Sequence, residues 1–154
     1  MNVAQHRERL LRAMPECAVV TTMDERQETA LASRVVVVDD GVDAAESLAM
    51  LLRLTGYDVR VAHDGLTALE LVDVYRPHAL LLDIGLPGLN GLDVAKRIRQ
   101  QPDLGSMRLV AMTGFGQSSD RRLAAEAGFD HFIVKPVDFR EVRKVLDGIS
   151  QRPT

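Results

Sequence analysis

The sequence predicts an α/β fold, a doubly wound parallel sheet with helices on both faces, and three observations lead there. Short apolar runs alternate with stretches of helical periodicity from Arg34 onward, without the closely spaced turns that hairpins need. Two of the runs, Val35-Val36-Val37-Val38 and Leu80-Leu81-Leu82, are unbroken by polar residues, as strands buried on both faces are. Each ends in acid, Asp39-Asp40 after the first and Asp83 after the second. In an open parallel sheet the carboxyl ends of strands are where chemistry collects.

The elements follow in order. Val35–Val38 is the first strand, and Ala45, Leu48, Ala49 and Leu52 then recur at helical spacing before Gly56 stops the helix. Asp58-Val59-Arg60-Val61-Ala62 alternates polar and apolar, which suits a half-exposed edge strand. Leu66 to Tyr75 is a second helix closed by Pro77, and Ala79–Leu82 is the central strand. Asn90-Gly91 opens a third helix with Val94, Ala95 and Ile98 on one face, and Pro102 ends it. Arg108–Met112 is a fourth strand running into Thr113-Gly114. Leu123, Ala124 and Ala127 mark a fourth helix that stops at Gly128. His131–Val134 is a fifth strand leading to Lys135-Pro136, and Val142, Val145, Leu146 and Ile149 form the inward stripe of a fifth helix.

Right-handed crossovers leave few topologies for such a chain, and the flavodoxin-like (βα)5 order 2-1-3-4-5 is a common one. In that order the first and third strands are neighbours, so Asp39, Asp40 and Asp83 meet at the switch point, with Thr113 and Lys135 on the same rim. Carboxylates so close raise one another's pKa unless a cation intervenes. For an all-oxygen site the simplest such cation is Mg2+.

Composition sets the bounds. A chain of 154 residues fits one domain with a short appendage. The boundaries expected are an arm or linker at 1–33, the domain at 34–150 and a tail at 151–154. In the arm, Val3, Arg7, Leu10, Leu11 and Met14 suit one face of a short helix ending at Pro15. A flexible arm and a docking or dimerising helix both fit that stretch. A formal charge of -3 gives no electrostatic reason to expect nucleic acid. The single cysteine, Cys17, allows neither an internal disulfide nor a cysteine zinc site, and is expected as a free thiol. No apolar run approaches the ~18 residues of a membrane span, and the N-terminus has no signal-type apolar core. A cytoplasmic protein without membrane contact is expected.

The set Asp39-Asp40, Asp83, Thr113 and Lys135-Pro136, in this order and spacing, resembles the receiver domain of two-component response regulators over residues 34–150. Val38-Asp39-Asp40-Gly41-Val42-Asp43-Ala44-Ala45-Glu46-Ser47 with Asp83-Ile84-Gly85-Leu86-Pro87-Gly88 is most similar to receivers of hybrid histidine kinases or stand-alone single-domain regulators. Gly41 stands where Asn is common in that motif. The resemblance implies that Asp83 accepts a phosphoryl group from phosphohistidine as an acyl phosphate. It implies Mg2+ held by Asp40, Asp83 and the Gly85 carbonyl, with Asp39 acting mostly through water. Lys135 and the Thr113 hydroxyl would meet the phosphoryl oxygens, Gly114 would keep the rim open, and Lys135-Pro136 would be cis. Thr113 and Phe132, the latter at the family's switch-aromatic position, would carry the signal. The partner implied is a histidine kinase or phosphotransfer protein, and a homodimer through the fourth helix, fifth strand and fifth helix is a further expectation.

Other readings of the same residues are weaker. Asp39-Asp40 could cap a helix; for Phe132 alone, ordinary edge packing fits as well as a working switch. Gly114-Phe115-Gly116 lacks the third glycine of a dinucleotide loop and follows the wrong strand. His63, His78 and His131 are scattered, without metal-ligand pairing. An aspartyl-phosphate phosphatase would need a second aspartate two residues after Asp83, where Gly85 stands. A degenerate, binding-only receiver would not keep the complete acid, threonine and lysine set. The expectation is therefore a phosphoacceptor and not an enzyme, with only self-phosphorylation and autodephosphorylation chemistry. So few residues follow the fifth helix that output is expected through protein contact, or the chain is a piece of a larger one.

Overall fold

The computed structural model describes residues 33–114 and 118–150. The arm expected over residues 1–33 lies outside them save for Ser33, as do Cys17, most of the Gly114-Phe115-Gly116 turn and the tail at 151–154. The sheet has strands β1 (Arg34–Val38), β2 (Asp58–Ala62), β3 (Ala79–Asp83), β4 (Arg108–Thr113) and β5 (His131–Val134). The helices are α1 (Val42–Leu54), α2 (Gly65–Tyr75), α3 (Gly91–Arg99), α4 (Ser118–Ala127) and α5 (Phe139–Ser150). The strand order is β2-β1-β3-β4-β5 and every pairing is parallel, the flavodoxin-like order expected of the alternating strand and helix pattern.

Alternation along each strand divides the core in two. Val35, Val37, Leu81, Val110, Met112 and Ile133 pack with Ala45, Ala49 and Leu52 of α1 and Val142 and Leu146 of α5. The intervening residues Val36, Val38, Leu80, Leu82, Leu109 and Ala111 are also fully buried, toward the remaining helices. A buried leucine of this kind is worth about 2–5 kcal/mol against alanine, so Leu81→Ala should be among the costliest core changes. Val145 is half-buried, completing the α5 stripe as far as it is described; the Ile149 side chain lies outside the described residues. Leu123 instead turns outward, 49% exposed, so α4 is held through Ala124 and Ala127.

Register fixes the functional edge. Val38 is level with Leu82, so Asp39 emerges beside Asp83; Asp83 is level with Met112, and Thr113 with Val134. Both β3 and β4 run one residue further than the apolar runs alone indicate. The ladder continues through Ile84 N–H to the Met112 carbonyl (2.9 Å) and Lys135 N–H to the Thr113 carbonyl (2.7 Å), which holds the polar residue at each strand end. Asn90 caps α3 by accepting the Asp93 amide at 3.0 Å. Gly91 lets α3 start directly against β3, because a Cβ there would collide with the Asp83 carbonyl. Two local features escape the periodicity. Pro102–Leu104 forms a 3-10 turn that buries Leu104, and Arg76 closes α2 in the left-handed region at φ 52°. No helix among the described residues is long and apolar enough to cross a membrane.

Candidate functional site

Among the described residues, the buried polar or charged side chains are Asp39, Asp83 and Thr113, at 5%, 6% and 5% exposure. All three stand at or just past the carboxyl end of a strand. Burying a carboxylate costs several kcal/mol unless it is paired and hydrogen-bonded, so the surroundings of these acids are informative.

The two buried acids are held alike. Lys135 Nζ donates to Asp39 Oδ2 at 2.8 Å and to Asp83 Oδ2 at 3.0 Å, bridging β1 and β3 from the end of β5. The other oxygen of each takes a backbone amide two residues on: Gly41 N–H to Asp39 Oδ1 and Gly85 N–H to Asp83 Oδ1, both 2.9 Å. Partial burial works to lower the Lys135 pKa. The hydrogen bonds to Asp39 and Asp83 and the charges of both acids outweigh it, so the pKa is raised and the side chain stays cationic. The Lys135-Pro136 bond is cis, as the resemblance implies.

Asp40 is the exposed member of the group. Oxygens of Asp39, Asp40 and Asp83 lie within 4.8 Å of one another. Among the described residues three carboxylates thus converge on a site where one ammonium answers them, which leaves an excess of negative charge. The donor set is all oxygen and open on the Asp40 side, and it fits a hard divalent cation of the Mg2+ or Ca2+ type. Of Gly85, whose carbonyl the resemblance assigns to the metal, it is the amide that contacts Asp83. The helix-cap reading of Asp39-Asp40 is corrected here: Gly41 is the N-cap of α1, with no side-chain cap.

Of the remaining predicted residues, Thr113 and Gly114 lie at the same rim and Phe132 lies within β5. Thr113 is buried at the end of β4, and Gly114 after it has open space where a side chain would project. Phe132 is half-buried on β5, with the Arg121 guanidinium 5.2 Å from its ring centroid, a cation–π stack. A groove leads from the acids along α1, past Leu48 and Leu51, to Pro136 and Val137. One residue at the site escaped sequence reasoning. His63 Nδ1 lies 3.0 Å from the Asp39 carbonyl, and its only sequence signal is its place directly after an edge strand. His78 sits at the opposite edge of the sheet and His131 is exposed.

Known proteins with this arrangement can now be compared. Residues 35–147 match the family profile of the response regulator receiver domain. The response regulator MprA of Mycobacterium ulcerans (strain Agy99) is 37% identical over 119 residues, covering 77% of this chain and 50% of that protein. This chain therefore spans about half the length of the curated relatives it matches. A crystal structure described as a response regulator from Chloroflexus aurantiacus J-10-fl superposes with a TM-score of 0.74 at 33% identity, over 79% of this chain and 99% of that one. The chemotaxis protein CheY4 of Vibrio cholerae has the same fold, with a TM-score of 0.73 at 23% identity over 77% of this chain and 98% of that one. With the family profile matched over most of its length and its strand order that of these structures, the chain belongs to the response regulator receiver domain family.

Proposed function

We propose that residues 34–150 are the phosphoacceptor module of a two-component or phosphorelay system, with Asp83 as the acceptor. The observation that carries this reading is the shared Lys135 ammonium, 2.8 Å from Asp39 and 3.0 Å from Asp83, within a cluster of three carboxylates that it neutralises only in part. An Asp83 oxygen attacks the phosphorus of a phosphohistidine. The O–P bond forms as the P–N bond breaks, and the imidazole leaves with the bonding pair and takes up a proton from solvent. Such transfers need positioning and neutralisation of charge more than covalent help. Lys135 neutralises one phosphoryl oxygen and the Thr113 hydroxyl donates to another. Asp40, Asp83 and the Gly85 carbonyl would hold Mg2+ directly and Asp39 mostly through water; the ion would supply the positive charge that lets an anionic donor approach.

The donor is a histidine kinase or phosphotransfer protein. Its approach along α1 is supported by Met50, Leu51 and Leu54, which are large, apolar and exposed there. Output runs through Thr113 and Phe132 and the face of α4, β5 and α5, which would also serve a homodimer. A hydrogen bond to a charged group is worth about 1.5–3 kcal/mol, enough to shift a two-state equilibrium but not to rebuild a fold. Hydrogen exchange with and without beryllofluoride tests this, since protection changes away from that face would sink it. The reading includes a cytoplasmic protein acting through protein contact, without nucleic acid, membrane or turnover of foreign phosphoesters.

Intact-mass spectrometry tests the whole proposal. With Mg2+ and a small acyl-phosphate donor the chain gains one phosphoryl group, and chelation of Mg2+ or Asp83→Asn abolishes the gain. Equal labelling of wild type and Asp83→Asn would remove Asp83 from its role.

A further inference from the structure

We propose that His63 is a positioning residue for the metal-binding acids, holding the peptide plane from which Asp40 projects. The proposal rests on the Mg2+ reading of the site and adds a residue to it.

Asp39 is fixed at four points. Its amide donates to the Ala62 carbonyl at 3.2 Å, closing the β1–β2 ladder. Its two carboxylate oxygens are taken by Gly41 N–H and Lys135 Nζ. The fourth point is its carbonyl, 3.0 Å from His63 Nδ1. A carbonyl oxygen can only accept, so Nδ1 carries the hydrogen and donates it. In a parallel ladder the next donor to this carbonyl would be the Asp64 amide. Asp64 has instead turned away to cap α2, where its side chain accepts the Thr67 amide at 2.8 Å. The His63 ring supplies the donor that the backbone gives up at this point.

The consequence falls on Asp40. Its carboxylate is exposed, so no packing sets its direction, and the Asp39–Asp40 peptide plane does. That plane is held on one side by the Asp39 carbonyl bond to His63. Without it the plane is held from its flanking residues alone, and Asp40 then has to be ordered at the expense of metal affinity. Ligand-orienting groups outside the coordination shell are typically worth at least tenfold in metal affinity.

The experiment is a Mg2+ titration of the full chain followed by amide chemical shifts, on wild type, His63→Ala and His63→Asn. Asparagine places a side-chain N–H where Nδ1 stands and lacks Nε2. The expected result is a Kd raised about tenfold in His63→Ala and restored to within about threefold of wild type in His63→Asn. Nitrogen-15 shifts of the His63 ring should show the hydrogen on Nδ1 in the metal-free protein. Wild-type affinity in His63→Ala, loss in His63→Asn as large as in alanine, or a hydrogen found only on Nε2 would each overturn the role of His63. Failure of wild type itself to bind Mg2+ would overturn the metal reading beneath it, a result distinct from the other three. Melting curves of both variants within a few degrees of wild type keep the comparison free of unfolding.

Discussion

The two edges of the sheet are both polar, yet they are built on opposite principles. At the carboxyl edge three carboxylates converge, two of them share Lys135, and charge is left over. At the amino edge the charges are answered. Arg34 donates to the carbonyls of Tyr75 and Arg76, and the Tyr75 hydroxyl donates to the Asp58 carbonyl at 3.0 Å. Asp130 accepts Arg99 at 2.8 Å and the Leu109 amide at 2.9 Å, with Arg108 3.6 Å away. The difference teaches that polarity at a sheet edge does not mark a site. Like charges drawn together within 4.8 Å do, because there a counter-charge is missing for a ligand to supply.

One kind of substitution, aspartate to asparagine, separates the edges most sharply. Asp83→Asn should remove all phosphoryl gain, whereas Asp130→Asn should accept one group at a rate near wild type, measured by intact mass. Loss of labelling in a well-folded Asp130→Asn would break the comparison. In stability the order reverses. Asp130→Asn removes the charge from the hydrogen bonds to Arg99 and Leu109 at a residue that is itself exposed, and should cost about 1 kcal/mol in urea unfolding.

The third substitution tests the surplus directly. Asp40→Asn removes one of three like charges without touching the Lys135 bridge. In metal-free protein it should raise the unfolding midpoint slightly, by less than Asp130→Asn lowers it. Mg2+ affinity should fall by more than about tenfold, since a unit charge against a divalent ion is worth over 1.4 kcal/mol at contact distance even in water. A lowered midpoint without metal would mean that Asp40 is stabilising and that the cluster carries no excess.

How much of this was legible in the sequence follows from what sequence patterns encode. Periodicity reports burial, so the strand and helix order, the two-sided burial of Val35–Val38 and Leu80–Leu82, and the acids at their ends were readable. Partners far apart in the chain leave no such trace. Lys135 is recognisable through its resemblance to a motif, but its pair of hydrogen bonds to Asp39 and Asp83 depends on a register that no local signal sets. The Arg99–Asp130 pair, 31 residues apart, and the His63 donor were invisible for the same reason. Arg76 is a local miss. Its left-handed conformation just before Pro77 is tied down by Arg34, whose guanidinium donates to the Arg76 carbonyl at 2.7 Å.

The smallest expected effect sets one histidine against the other. His63 donates at the carboxyl edge, whereas His78 Nδ1 accepts the Arg34 amide at 2.9 Å on the amino edge. Burial, and then the Arg34 charge, hold the His78 pKa below its ordinary value of 6.5. A group whose pKa is lower folded than unfolded contributes stability that is complete above the unfolded value. That contribution drains away as pH falls from there toward the folded value. Below about pH 6.5 the unfolded chain takes up the proton more readily than the folded one, and protonation of Nδ1 would end the bond to Arg34. Wild-type stability should therefore drop between pH 7 and 5 by more than that of His78→Asn, whose side-chain oxygen accepts the same amide and does not titrate. Equal pH slopes from urea unfolding would mean that the Arg34–His78 bond contributes nothing, and that the amino edge is held by its guanidinium contacts alone.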